Sequence, residues 1–431
     1  MPASRATTIL NSPSAPLRLV IHVQNRPRSG ADHLVDVRSI PANTKPSQRP
    51  ENVLILQGGG SLGAFGCGVF KALAKSGKNL DIVAGTSIGG VNAAIIAGSK
   101  RDRSAEALEE FWLELAESST HRSFPETQTL QAPFYDFRLP TQEPRFDTHA
   151  DSLASFYHSA VFGNPKMFVP RWDPSRASKD PQYLNPQKWT YLYDHTPLAK
   201  TLDRYIDYQR LSPDGNPNAR LIITAVNVLT AEPLTFDSLK QKISPKHVLA
   251  TSAYPLYFFP WVEVEKGIYC WDGGLLSNTP VREVIDASPV ADKHIIVVEN
   301  YPKDIDALPQ NIPEVLHRVR DIMFSDKTLH NVKMSRLITK YLQFIDQLYR
   351  IVESHVDPTE LDEETMRSIQ TKYRKFKMEH GAEIKSIRYI TREEKHPHVY
   401  ENADFSIRTI KKSISEGEAR TKEILRTANE K

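Results

Sequence analysis

Short, continuously apolar runs recur between residues 51 and about 300: VLIL at 53–56, DIVAG at 81–85, LIITAV at 221–226, IYCW at 268–271 and HIIVVE at 294–299. Each is strand length, and none alternates apolar with polar residues as a half-exposed strand would. Runs of this kind belong to strands covered on both faces, and the stretches between them read as helices. The pattern predicts an α/β domain over 51–300, with three layers and a mostly parallel sheet between helices. Residues 120–196 break the rhythm with Pro and aromatic clusters, FYDF at 134–137, MFVPRW at 167–172 and WTYLY at 189–193. An insertion of this length reads as a cap or lid over a site, or as an aromatic-anchored surface excursion.

Residues 301–431 read as a helical C-terminal region. Met334, Ile338, Tyr341, Ile345, Leu348 and Val352 advance in steps of four and three, which places them on one stripe of a single helix. The stripe is expected to pack on its own domain, with a partner helix or a membrane as the lesser reading. Residues 1–50 are rich in Pro, Ser and Arg and read as a mobile tail with one short strand near 18–23.

Charge changes this picture only locally. Net charge is +3 over 431 residues, which supplies no field for nucleic acid, so none is expected as a partner. The first 50 residues hold seven basic and two acidic side chains, which makes weak contact with an anionic membrane surface an expectation for the tail. Cys67 and Cys270 allow at most one bridge, which suits a reducing compartment. No CxxC or HExxH spacing occurs, so no metal or other cofactor is expected. The chain lacks an apolar run of about 20 residues, and cytoplasmic placement is the expectation.

Two glycine-framed turns carry the candidate chemistry. VLILQ runs into GGGSLG at 58–63 and then into a helical stretch. Gly58, Gly60 and Gly63 fit GxGxxG, so a dinucleotide-binding oxidoreductase has to be weighed. Its acidic partner would be Asp81, which begins a strand where a ribose-binding carboxylate should end one. The same turn can instead offer backbone N–H groups to an oxyanion. GTSIGG at 85–90 then frames Ser87 between Gly85 and Gly89 at a strand-to-helix turn, the arrangement of a nucleophile elbow. A serine there needs a base. His294, His317 and His330 follow in the chain, but none stands in a glycine-framed turn. Asp272, in WDGGLLSNTPV, ends a strand before Gly273 and Gly274 and can accept a proton from Ser87. Alternatively it is a turn aspartate before a helix capped by Asn278 or Thr279.

GGGSLGAF, GTSIG and DGG in this order resemble the patatin-like phospholipase family, as does ATSAYPLYFFP at 250–260. YDHTPL, AVNVLTAEPLTFDS and YENADFSIR are similar to a bacterial and archaeal branch with extra C-terminal helices. The resemblance covers 51–300 firmly and 301–431 loosely. It implies a patatin-like α/β/α domain, Ser87 as nucleophile and Asp272 as general base and acid, without a catalytic histidine. It also implies an oxyanion hole from Gly58, Gly59 and Gly60, with Gly63, Gly85, Gly89, Gly273 and Gly274 shaping the turns. The substrates implied are acyl esters of lipids, cleaved through an acyl-serine. Gln57 stands where many members carry Asp or Ser, and Leu62 where many carry Arg or Lys, so a cation toward the substrate is missing from the loop. A catalytically silent lipid-binding or scaffold protein on the same fold is the alternative. No feature of the chain selects an oligomeric state.

Overall fold

The computed structural model describes residues 49–120, 157–178, 180–355, 362–380, 382–393 and 401–429. The expected tail and its short strand lie outside these residues, as does the stretch 121–156 of the expected insertion. All described residues belong to one compact unit that runs from Pro46 to Lys431.

In chain order the strands are β1 (Glu51–Leu56), β2 (Ile82–Gly85), β3 (Val169–Pro170), β4 (Tyr193–Asp194), β5 (Arg220–Asn227), β6 (Pro233–Asp237), β7 (Val262–Glu265), β8 (Ile268–Asp272), β9 (Lys293–Glu299) and β10 (Ile384–Thr391). The helices are α1 (Gly63–Lys75), α2 (Ile88–Gly98), α3 (Ser104–Thr120), α4 (Thr196–Leu202), α5 (Pro245–Thr251), α6 (Val281–Ala287), α7 (Ile312–His355), α8 (Glu363–His380) and α9 (Ile407–Asn429). One sheet follows the order β10-β9-β1-β2-β5-β8-β7, with β6 also on β5, and β3 pairs with β4 separately. The pairs from β10 to β5 are parallel, whereas β6, β7 and β8 join antiparallel. All five apolar runs are strands of this sheet.

Continuous apolarity has its reason in the two cores. Leu54 and Leu56 point into a large cluster with Phe65, Ile95, Phe111, Trp112 and Ile414. Val53 and Ile55 point the other way, toward Ile82, Ile222, Val281, Val284 and Val297. Successive strand side chains alternate between faces, so a strand covered on both must be apolar at every position.

The region after residue 300 is mostly helical, as read from the sequence, and it also contributes β10 to the sheet edge beside β9. Helix α9 lies along α1, where Lys71 bridges Glu109 on α3 and Glu418 on α9 at 2.6 and 2.8 Å. The stripe on α7 turns out differently from expectation. Met334, Ile338, Tyr341 and Leu348 are exposed, while Leu342 is buried. The inward side meets α8 through Tyr349, whose ring stacks on Tyr373 at 3.5 Å. Periodicity establishes which residues share a helix face; it does not say which face the domain covers.

Candidate active site

The two motif turns leave the same edge of the sheet because their strands are neighbours. β1 and β2 run parallel with Leu56 opposite Gly85. Between β2 and α2 the chain reverses over Thr86 and Ser87, and Ser87 takes φ 58° and ψ −133°. A serine in this sparsely populated region costs of order 1–3 kcal/mol and persists only when its surroundings enforce it. The enforcement is visible in three contacts. The Ser87 N–H donates to Thr251 Oγ1 at 3.2 Å, and Thr86 Oγ1 lies 2.7 Å from Thr224 Oγ1 and donates to the Ser277 carbonyl at 3.0 Å. α2 starts so close to β1 that a β-carbon on Gly89 would come within 2.1 Å of the Leu56 carbonyl oxygen. Only glycine fits there.

The turn after β1 closes over Ser87 from the side. A β-carbon on Gly58 would lie 2.8 Å from Ser87 Cβ, and Gly60 has φ +60°. Gln57 pins the turn: its Nε2 donates to Thr279 Oγ1 at 3.1 Å, and its Oε1 accepts from the Asn300 N–H at 2.7 Å. Asn300 Nδ2 in turn donates to the carbonyls of Gln57 and Gly58 at 3.0 and 3.1 Å. The residue that departs from the family pattern is thus part of the scaffold that shapes the turn.

Asp272 ends β8, antiparallel to β5 with Ala225 opposite, and its side chain is fully buried. Oδ1 accepts the Gly274 N–H at 2.7 Å, while buried Oδ2 lacks a hydrogen-bond partner of normal geometry. Burial pushes the carboxyl up to about 7, partly offset by the Gly274 N–H and the nearby Ser87 hydroxyl. A buried carboxylate with one firm donor is poorly solvated, which is the physical origin of that rise. Helix α6 begins at Val281 with Pro280 at its cap position, so Asn278 and Thr279 do not cap it. Asn278 lines the same recess as Ser87 instead.

Ser87, Asp272, Gly59, Gly60, Gly274 and Asn278 wall one recess of about 20 Å³, room for about one water molecule. Tyr254, Tyr257, Tyr301 and Phe324 complete it. Gly63, Gly85, Gly89 and Gly273 lie in the turns around the recess and not in its wall. No histidine lines the recess among the described residues. His294 is exposed and bonded to Ser386 Oγ at 2.7 Å, and His317 is buried between Asp321 and Glu401, 3.2 Å from each. His330 lies in α7. Asp81 sits at the opposite end of its strand, held by Arg49 at 2.7 Å and the Asn52 N–H at 2.8 Å, which removes the ribose partner that a dinucleotide site needs.

The aromatic wall escaped the motif reading. Phe324 comes from α7 and stacks on Tyr301 at 4.9 Å. Asn402, just before α9, donates to the Tyr301 and Tyr257 hydroxyls at 3.1 and 3.3 Å. Its neighbour Glu401 accepts from Arg320 and Arg392 at 2.9 Å each. Tyr257 belongs to the YPLYFF stretch, whose next residue, Phe258, is held at φ +61° while its carbonyl accepts the N–H groups of Leu192 and Tyr193 at 2.9 and 3.2 Å.

A mostly parallel α/β sheet with a strained serine at a strand-to-helix elbow and a glycine turn beside it defines a recognisable class of ester-cleaving folds. Within that class, the chain belongs to the patatin-like phospholipase family, whose model matches residues 54–285. A 100-residue stretch is 35% identical to the cGAMP-activated phospholipase of Vibrio cholerae serotype O1, covering 21% of this chain and 27% of that protein. The match thus spans about a quarter of that relative's length. Among solved structures, VipD from Legionella pneumophila aligns over 89% of this chain and 68% of its own, with 14% identity and a TM-score of 0.35. ExoU in the ExoU–SpcU complex from Pseudomonas aeruginosa aligns over 67% and 52%, with 17% identity and a TM-score of 0.29. Similarities this low add nothing to the fold, which rests on the strand order itself. Among the described residues no helix is long and apolar enough to cross a membrane.

Proposed function

We propose that this protein is a serine acyl hydrolase that cleaves carboxylic esters of lipids with a Ser87–Asp272 dyad. The observation that carries the reading is the shared recess, in which a strained serine and a buried, weakly acidic carboxyl face each other beside a glycine turn. Asp272, ionised, takes the Ser87 proton as Oγ attacks the ester carbonyl. The N–H groups of Gly58, Gly59 and Gly60 receive the oxyanion. Collapse of the tetrahedral intermediate expels the alcohol, which takes the proton back from Asp272 and leaves an acyl-serine. Water, deprotonated by the same carboxylate, then releases the acid and regenerates Ser87. A carboxyl near 7 suits this work, because a general base is most effective when its pKa lies near the working pH.

The lipid would be met at a membrane surface without a spanning helix. Leu256 and Phe258 beside the recess are exposed, as are Ile312, Leu316, Val319 and Met323 on the outward side of α7, the helix that carries Phe324. The catalytic unit would comprise 51–300, with 301–431 supplying one wall of the site.

A serine-reactive fluorophosphonate tests the dyad. Label should map to Ser87 and vanish in Ser87→Ala. Ester hydrolysis should fall by at least a thousandfold in Ser87→Ala and Asp272→Asn. Label retained on Ser87→Ala would refute the nucleophile, and hydrolysis retained by Asp272→Asn would refute the base. A silent lipid-binding protein would take no label at all.

A further inference from the structure

Asn278 is a buried amide whose donor the fold leaves unused. It is 2% exposed, and its Nδ2 has no hydrogen-bond partner among the described residues. Buried donors are almost always paired, because an unpaired one gives up its hydration for nothing. The backbone on either side of Asn278 is pinned while the amide is not. The Ser277 carbonyl accepts from Thr86 Oγ1 at 3.0 Å, and Thr279 Oγ1 accepts from Gln57 Nε2 at 3.1 Å. Asn278 is thereby suspended between the residue before the nucleophile and the residue before the glycine turn.

Two glycines give its place relative to the dyad. A β-carbon on Gly274 would lie 3.1 Å from Asp272 Oδ1 and 3.3 Å from Asn278 Oδ1, so carboxylate and carboxamide approach one point. A β-carbon on Gly58 would lie 2.5 Å from Asn278 Oδ1 and 2.8 Å from Ser87 Cβ, so the carboxamide also reaches the serine side. Asp272 Oδ2 is a second buried atom of the recess without a partner of normal geometry. One of the two is a donor and the other an acceptor. A single water oxygen can accept from the first while its hydrogen is given to the second.

We infer that Asn278 is a further catalytic residue, whose Nδ2–H holds the water that attacks the acyl-serine while Asp272 Oδ2 takes that water's proton. The inference rests on the proposed Ser87–Asp272 dyad and concerns its second half-reaction. One lone pair of the water accepts from Nδ2, which leaves the other to attack. As the bond from water oxygen to acyl carbon forms, a water proton passes to Asp272 and the carbonyl π pair moves onto the oxyanion. That pair then returns, the bond from acyl carbon to Ser87 Oγ breaks, and Oγ recovers the proton from Asp272. The acid leaves with the water's oxygen. In the first half-reaction Ser87 Oγ is itself the nucleophile, so the role of Asn278 is confined to deacylation.

The test separates the two half-reactions, using the full chain and p-nitrophenyl butyrate. In Asn278→Ala, deacylation should slow about a hundredfold, the order of loss when a reactant is misplaced. p-Nitrophenol should then appear as a stoichiometric burst followed by slow turnover, with butyryl-enzyme accumulating in the intact mass spectrum. The rate of labelling by a fluorophosphonate, which needs Ser87, Asp272 and the oxyanion donors but no attacking water, should remain that of wild type. Asn278→Ser keeps a shorter donor and should show the same burst with turnover slowed only about tenfold. Near-ultraviolet circular dichroism confirms the fold, and Asn278→Ser carries the test should Asn278→Ala not fold. Labelling slowed as much as turnover would place Asn278 in the oxyanion hole or its frame and overturn the water-holding role. Unchanged deacylation in a folded variant that takes label overturns this role and leaves the dyad standing. Wild type that neither takes label nor hydrolyses ester overturns the dyad, and this role with it.

Discussion

The carbonyl oxygen of Asn402 presses on Gly60 so closely that a β-carbon at Gly60 would come within 2.3 Å of it. With φ at +60°, the residue is doubly committed to glycine. Gly60→Ala should destabilise the protein by about 2–4 kcal/mol, combining left-handed strain with overpacking. It should also lower ester hydrolysis at least tenfold, since it shifts a donor of the proposed oxyanion hole. Thermal denaturation and kcat on a soluble ester separate the two effects.

Asp272 makes activity and stability respond to pH in opposite senses. The proposed base must be ionised, so kcat/KM on a soluble ester should rise about tenfold per unit below pH 7 and level above it. In the unfolded chain the same carboxyl ionises near 3.8, against about 7 when folded. Between those values the folded state holds a proton that unfolding releases, so stability declines as pH rises through this window. The loss is on the order of 4 kcal/mol. Asp272→Asn should therefore be the more stable protein at pH 8, by a few kcal/mol, with the advantage vanishing near pH 4. Chemical denaturation at the two pH values checks it.

Glu401 sits buried between two guanidinium groups. Glu401→Ala leaves Arg320 and Arg392 without their shared acceptor, and losing one partner of a buried ion pair costs about 3–5 kcal/mol. The urea midpoint should drop accordingly. Because Ser61 Oγ donates to the Glu401 backbone carbonyl, the glycine turn should loosen as well, which a fall in kcat on a soluble ester would register.

If the outward face of α7 is the proposed docking surface, variants there should separate catalysis from lipid access. Leu316→Glu combined with Val319→Glu changes two exposed side chains and should leave hydrolysis of a soluble short-chain ester within twofold of wild type. Hydrolysis of lipid in anionic vesicles should fall at least tenfold. Equal activity of the double variant on vesicles would rule this face out as the docking surface.

What the sequence made legible and what it hid divide along a physical line. Ser87, the glycine turn and Asp272 could be read because each lies in a local strand–turn pattern whose steric demands appear as glycines within a few residues. The five strands showed for the same reason, being apolar throughout. Phe324, Tyr301 and Asn402 carry no such mark, because they meet only when the last third of the chain returns to the first turn. β10 was missed because its residues, IKSIRYIT, mix charged and apolar side chains without either an unbroken apolar run or a clean period of two. The outward turn of the α7 stripe was hidden because one sequence cannot say which flank α8 will occupy.

The contact between Ser61 and Glu401 joins residues 340 positions apart. At the usual 5–20 residues per second of translation, roughly 20–70 s pass between the emergence of the two. For that interval the glycine turn lacks its contact with Glu401, and the flank of α1 that α9 will cover stays bare. The newborn chain thus carries an uncovered helix flank until its last helix is made. The proposed lipid-cleaving site would then gain its last wall only when the end of the chain has emerged.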